Sequence, residues 1–213
     1  MANSGQNRLL IANAILMVGL TITALWFGRW SIAFVSLATL GLSLVPVVVA
    51  NRLEISLPLP YLVFTTLFIF ASIFLGEAFD FYERVWWWDL ALHGSAAVGF
   101  GLFGFLFVFM LFEGDRYAAP PFALSFLAFC LAVTLGTLWE IFEYLMDLTF
   151  GLTMQKSGLD DTMSDMIIDA VGAALAGLSG YLYLIERGKA GLSPFIGRFV
   201  EQNKKLFEKF GRR

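Results

Sequence analysis

Charge is scarce in this sequence. Asp, Glu, Lys and Arg make up 15% of its 213 residues, where a soluble domain carries about 25%. Hydrophobic residues reach 59% and the mean hydropathy is +0.77. That balance excludes an ordinary water-soluble globule, because 23 Phe and 6 Trp could not all be buried without leaving an aggregation-prone surface. There is one cysteine, Cys130, inside an apolar run. Neither a disulfide framework nor a cysteine metal site can form within one chain. No basic stripe lies outside the C-terminal tail and no zinc-finger spacing occurs, which removes nucleic-acid binding. A cleavable leader is not expected: one basic residue, Arg8, precedes the first apolar stretch, and GRWS follows it in place of a small-residue cleavage site.

What is present is a series of apolar runs separated by turn signals. Backbone groups in hydrocarbon must be bonded internally, so these runs predict helices and not a barrel. Six spans are expected: Leu9 to Phe27, Ser31 to Ala50, Pro60 to Gly76, Asp89 to Phe112, Phe122 to Asp147, and Asp161 or Asp165 to Ile185. Pro46 should bend the second. The fold class is an all-α polytopic membrane helical bundle, with a transmembrane domain over 1–186 and a cytoplasmic basic tail over 187–213. In the tail, Phe195, Ile196, Phe199, Leu206, Phe207 and Phe210 alternate with basic residues, the pattern of an amphipathic membrane-surface anchor.

An even number of spans puts both termini on one face. That face carries Arg8, Arg52, Arg116, Arg187, Lys189, Arg198, Lys204, Lys205, Lys209, Arg212 and Arg213; the other has Arg29, Arg84 and Lys156. The positive-inside rule therefore predicts that both termini are cytoplasmic. Carboxylates sort the other way. Glu77, Asp80, Glu83, Asp89, Glu140, Glu143, Asp147, Asp160, Asp161, Asp165 and Asp169 all fall at the outward end.

Several of these acids recur at helical intervals. Asp89 and His93 are four apart, Glu140 and Glu143 three apart with Asp147 four further on, and Asp161, Asp165 and Asp169 repeat every four. Charged groups at membrane depth are costly unless paired or hydrated, and like charges on one face repel. Arg84 and Lys156 are too few to neutralise them, which leaves protons or a divalent cation. Carboxylate oxygens with one imidazole suit zinc, magnesium, manganese or iron, and the pattern does not separate these. His93, Glu140, Glu143, Asp165 and Asp169 are the expected inner ligands. Asp89, Asp147 and Asp161 are expected as outer ligands or orienting groups. Asp161 and Asp169 lie about 12 Å apart along a helix axis, too far to share one ion, though neighbouring pairs could flank two. Small residues in the fourth span (Gly94, Gly99, Gly101, Gly104) and the sixth (Gly172, Ala173, Ala176, Gly177, Gly180) predict that these two pack closely. Trp86, Trp87 and Trp88 fit an interfacial aromatic belt.

The segments WWWDLALHGSAA and WEIFEYLMDLTFGLTMQKSGLDDTMSDMIIDAVGAALAG resemble the YjdF-like bacterial membrane proteins, with a looser similarity to the VanZ-like group. The resemblance covers Trp86 to Gly180 and implies a polytopic bacterial membrane protein, expected in the cytoplasmic (inner) membrane, without naming a reaction. Its motif positions fall on Asp89, His93, Glu140, Glu143, Asp147, Gly151, Met154, Gln155, Gly158, Leu159, Asp161, Thr162, Asp165, Asp169 and Gly172.

Three functions fit these residues. The leading one is a metal-dependent hydrolase acting on a lipid or lipid-linked substrate at the outer face, with Glu140, Glu143 or Asp147 accepting a proton. The second is a cation or proton-coupled transporter. The third is a nonenzymatic metal-stabilised assembly factor or sensor. An accessible cluster favours the enzyme, a polar route to both faces the transporter, and a closed centre the structural role.

Overall fold

The structure, a computed structural model, describes residues 4–112, 119–186 and 191–208. Arg116, Arg187, Lys189, Lys209, Phe210, Arg212 and Arg213, together with the acids Glu113 and Asp115, lie outside the described residues. Among the described residues, six helices are long and apolar enough to cross a membrane, and the fold is an all-α polytopic membrane bundle. The chain divides into two compact units, Met1–Trp88 and Asp89–Arg213.

The first unit contains α1 (Ser4–Trp26), α2 (Trp30–Arg52), α3 (Leu59–Ile69) and the short α4 (Phe81–Arg84). Pro58 and Pro60 start α3, where their missing N–H groups cost nothing. The span does not stop at Gly76: a wider π-helical stretch, Phe70–Ala78, continues it. Pro46 sits within a single uninterrupted α2. Lipid supplies no hydrophobic force between helices, so small and polar residues hold them together. The buried face of α2 is Ala33, Ser36, Thr39, Ser43 and Ala50, and Asn13 of α1 donates to Ser43 Oγ at 2.8 Å. Large apolar side chains such as Ile15, Ile22 and Phe34 point outward.

The second unit contains α5 (Trp88–Leu111), α6 (Pro121–Phe150), α7 (Leu159–Glu186), α8 (Ser193–Gln202) and α9 (Lys204–Glu208). Helices α6 and α7 form an antiparallel hairpin. Its connection starts at Gly151 and ends at Gly158, both left-handed at φ 66°, a region that glycine enters without steric cost. Helix α6 therefore runs three residues past Asp147 before Gly151 stops it, and α7 starts two residues before Asp161. Helix α5 packs on α7 as the small residues predict. A β-carbon on Gly172 would lie 2.6 Å from the Gly94 carbonyl oxygen and 2.9 Å from Ala97 Cβ. No side chain fits between these backbones.

One end of this unit is closed by aromatic packing. Tyr183 meets Phe105 and Phe109 edge-on at 6.1 and 6.0 Å, and Phe207 of the tail lies 5.8 Å from Phe109. Ile196 and Phe207 are buried, so part of the apolar stripe expected to face lipid packs against protein instead. The tail's sequence shows an apolar face; it does not show that Phe109 and Tyr183 are there to receive it. Phe109 is 16 residues along α5 from His93, about 24 Å. The acids occupy the opposite end.

Candidate metal centre

Three helix ends meet at the acidic end of the second unit. Asp89 and His93 lie in the first turns of α5, where a carboxylate also complements the helix dipole. The buried stripe of α6 runs Leu124, Ser125, Ala128, Ala132, Gly136, Glu140, Glu143. Its small residues let α7 approach, and its last two members are the acids. On α7 the four-residue spacing carries Asp161, Asp165 and Asp169 progressively inward, from half-buried Asp161 to buried Asp165 and Asp169.

The imidazole of His93 is the centre of the arrangement. Its Nδ1 lies 3.5 Å from Asp169 Oδ2 and 3.8 Å from Glu140 Oε1. Its Nε2 lies 3.9 Å from both Asp165 Oδ2 and Asp89 Oδ1. These gaps are long for hydrogen bonds. They approach the edge of a coordination polyhedron, since two ligands each about 2.1 Å from one ion sit roughly 3.0–3.5 Å apart. His93, Glu140 and Glu143 offer ligand atoms within 4.8 Å of one another, and so do Asp89, Asp161 and Asp165.

The inner members are deeply buried. Glu140, Asp165 and Asp169 are only 3%, 2% and 4% exposed. Both Glu140 carboxylate oxygens, Asp165 Oδ2 and Asp169 Oδ2 are buried without a hydrogen-bond partner among the described residues. A buried unsatisfied polar group costs about 1–3 kcal/mol, more when charged. Four such oxygens around one imidazole call for a cation or for protons, and the oxygen-plus-nitrogen donor set fits a divalent ion.

Neighbouring residues shape the cluster. Trp139 Nε1 donates to Glu143 Oε1 at 2.9 Å, which fixes that carboxylate. Gly136 faces Asp169 so closely that a β-carbon there would overlap Oδ2 and lie 2.9 Å from Cγ. Lys156 Nζ approaches Asp89 Oδ2 at 3.7 Å, and the Lys156 amide donates to Asp161 Oδ2 at 3.2 Å. Neither Trp139 nor Gly136 stands out in the sequence by residue type. The signal for Gly136 was its spacing, since Gly136, Glu140 and Glu143 share one helical face.

Asp147 has a different task from the one its spacing suggested. Its Oδ1 accepts the Met154 amide at 2.8 Å and its Oδ2 the Gln155 amide at 2.9 Å. Both oxygens are thus engaged in holding the α6–α7 connection, which Gln155 ties to Thr162 at 2.7 Å. Asp147 is not among the groups that converge with His93. Glu77, Asp80, Glu83 and Asp160 are exposed, and Asp80 pairs with Arg84 at 3.4 Å.

A family model described as "Predicted membrane protein (DUF2238)" matches residues 8–186. An "Uncharacterized protein" of Thermotoga maritima is 34% identical over 114 residues, 51% of this chain and 57% of the relative. The match thus spans little more than half of that relative's length. No solved structure matches. The family assignment agrees with the YjdF-like resemblance of the Trp86–Gly180 motifs.

Proposed function

We propose that this protein, which belongs to the DUF2238 family of predicted membrane proteins, is a membrane-embedded metal-dependent hydrolase whose divalent ion is held by the grouped His93, Glu140 and Glu143 together with Asp169, whose Oδ2 lies 3.5 Å from His93 Nδ1. The observation that carries the reading is Glu140, with both carboxylate oxygens buried and without a hydrogen-bond partner among the described residues, and with Oε1 3.8 Å from the His93 Nδ1. Asp165 Oδ2 faces the other ring nitrogen of His93 at 3.9 Å, beyond hydrogen-bond distance.

A divalent ion there would polarise a phosphoryl or carbonyl oxygen and activate water. In the hydrolysis, water adds to the phosphorus or carbonyl carbon and the bond to the leaving oxygen breaks. The water proton passes to a carboxylate and from it to the leaving group. Glu143 suits that transfer, with one oxygen fixed by Trp139. Substrate approach is from the acidic end, where Asp89 and Lys156 retain 22% and 28% side-chain exposure. A headgroup at the membrane edge is the natural reactant, which favours a lipid or lipid-linked molecule. A transporter reading is disfavoured within this unit: beyond Asp169 the buried core is mainly apolar, with Leu102, Phe105, Leu124 and Ala132 among its members; Ser125 and Ser179 add hydroxyls, but no further carboxylate is buried among the described residues.

The test is turnover by the full chain in vesicles containing phosphodiester and ester lipids, before and after chelation and metal return. Hydrolysis that chelation abolishes, metal restores and Glu140→Gln eliminates supports the enzyme. Turnover indifferent to both chelation and Glu140→Gln would refute it. Tight metal binding without turnover of any lipid would favour the assembly-factor or sensor reading.

A further inference from the structure

The three acids on the outer side of His93 are not absorbed by the inner ligand set. Asp89, Asp161 and Asp165 bring one oxygen each within 4.8 Å of the others. They come from the first turn of α5 and from successive turns of α7. Asp165 Oδ2 is buried, lacks a hydrogen-bond partner among the described residues and lies on the Nε2 side of His93. Glu140 and Asp169 lie on the Nδ1 side. The imidazole therefore divides the cluster into two compartments. The inner one has Nδ1 and carboxylate oxygens; the outer one has carboxylate oxygens and the Nε2 edge of the ring, which carries the N–H and is no ligand when Nδ1 binds a metal.

Charge separates the compartments further. The outer three carboxylates have one nearby ammonium, Lys156, at 3.7 Å from Asp89 Oδ2. A single divalent ion in the inner compartment leaves that outer group with two uncompensated negative charges. An oxygen-only, partly exposed site is the chemistry of a hard cation that keeps some of its water, such as magnesium, calcium or manganese.

We infer that Asp89, Asp161 and Asp165 form a second, exchangeable divalent-cation site at the mouth of the centre, with Lys156 as the internal cation that a metal ion displaces. This inference rests on the inner-site reading. Asp165 Oδ2 lies against the Nε2 edge of His93, so the two sites share the imidazole ring as their dividing wall. Displacing Lys156 also loads the α6–α7 connection, because the Lys156 amide is held by Asp161 Oδ2. Outer-ion exchange and the position of this loop are therefore coupled. An ion there keeps open coordination positions toward the surface, suited to an anionic phosphate group.

Manganese titration of the chelator-stripped full chain in detergent, followed by electron paramagnetic resonance and calorimetry, tests the inference. Two classes of site are expected, one tight and one weaker. Asp161→Asn should remove the weaker class and keep the tight one, and Glu140→Gln should do the reverse. Lys156→Gln should strengthen the weaker class about 3- to 10-fold, since it removes the competing charge at a partly exposed site. Asp89→Asn repeats the Asp161 test should that variant fold poorly. One tight equivalent per chain, unchanged in Asp161→Asn and Asp89→Asn, overturns the outer site and leaves the inner one standing. Absence of any binding overturns both.

Discussion

Gly136→Ala puts the inner site under the most specific strain. The added methyl would lie 2.9 Å from Asp169 Cγ, and closer still to Oδ2. Non-bonded heavy atoms pack at about 3.5–4.0 Å, and Oδ2 is the closer contact, so the carboxylate must retreat by at least about 1 Å. Overpacking of this kind costs about 1–3 kcal/mol. Alanine is favoured over glycine in a helix interior by about 1 kcal/mol, so the net loss of fold stability stays within about 2 kcal/mol. Metal affinity should suffer more. Asp169 Oδ2 is the group nearest to His93 Nδ1, and disturbing the support of a metal site lowers affinity about 10- to 100-fold. Chelator competition measures the affinity, and thermal melting with and without metal separates it from stability. The expected result is a near-normal melting temperature without metal and a diminished gain on adding it. Metal affinity equal to that of the unsubstituted protein would refute the placement of Asp169 as a ligand.

Three further outcomes follow from the geometry. Trp139→Phe removes the indole donor to Glu143 Oε1, and a hydrogen bond to a charged group is worth about 1.5–3 kcal/mol; metal affinity should fall about tenfold or more while helicity by circular dichroism is retained. Asp147→Ala frees the Met154 and Gln155 amides, so proteolysis within 151–158 should accelerate while metal stoichiometry stays unchanged; loss of the metal instead would return Asp147 to the ligand set. Gly172→Val forces a branched side chain against the Gly94 carbonyl and Ala97 and should lower the melting temperature and the metal content together, because α5 carries His93 into the centre.

The helices were legible because a long apolar run has few alternatives in a membrane. Their ends were less so. Gly151 and Gly158 set the limits of α6 and α7 through left-handed turns, whereas the apolar pattern alone stops short at Asp147 and Asp161. Convergence of Asp89, His93, Glu140, Glu143, Asp165 and Asp169 was visible in the three- and four-residue spacings, since each set lies on one face near one end. The role of Asp147 was not. It shares the spacing of Glu140 and Glu143, but its partners are amides seven and eight residues away, in a loop whose path no periodicity encodes. The two-sided environment of His93 was equally hidden, because it depends on the rotation of α5 against both α6 and α7. Gly136 was readable only as a small residue on the buried stripe of α6; its contact with Asp169 belongs to the partner helix.

The central claim, a divalent ion bound between three membrane helices, is tested most directly by anomalous diffraction from protein purified without chelator. An anomalous peak about 2.0–2.5 Å from His93 Nδ1 and oxygens of Glu140, Glu143 and Asp169 is the predicted result. No peak there, with Glu140 and Asp169 drawn into direct hydrogen bonds with His93 instead, would contradict it.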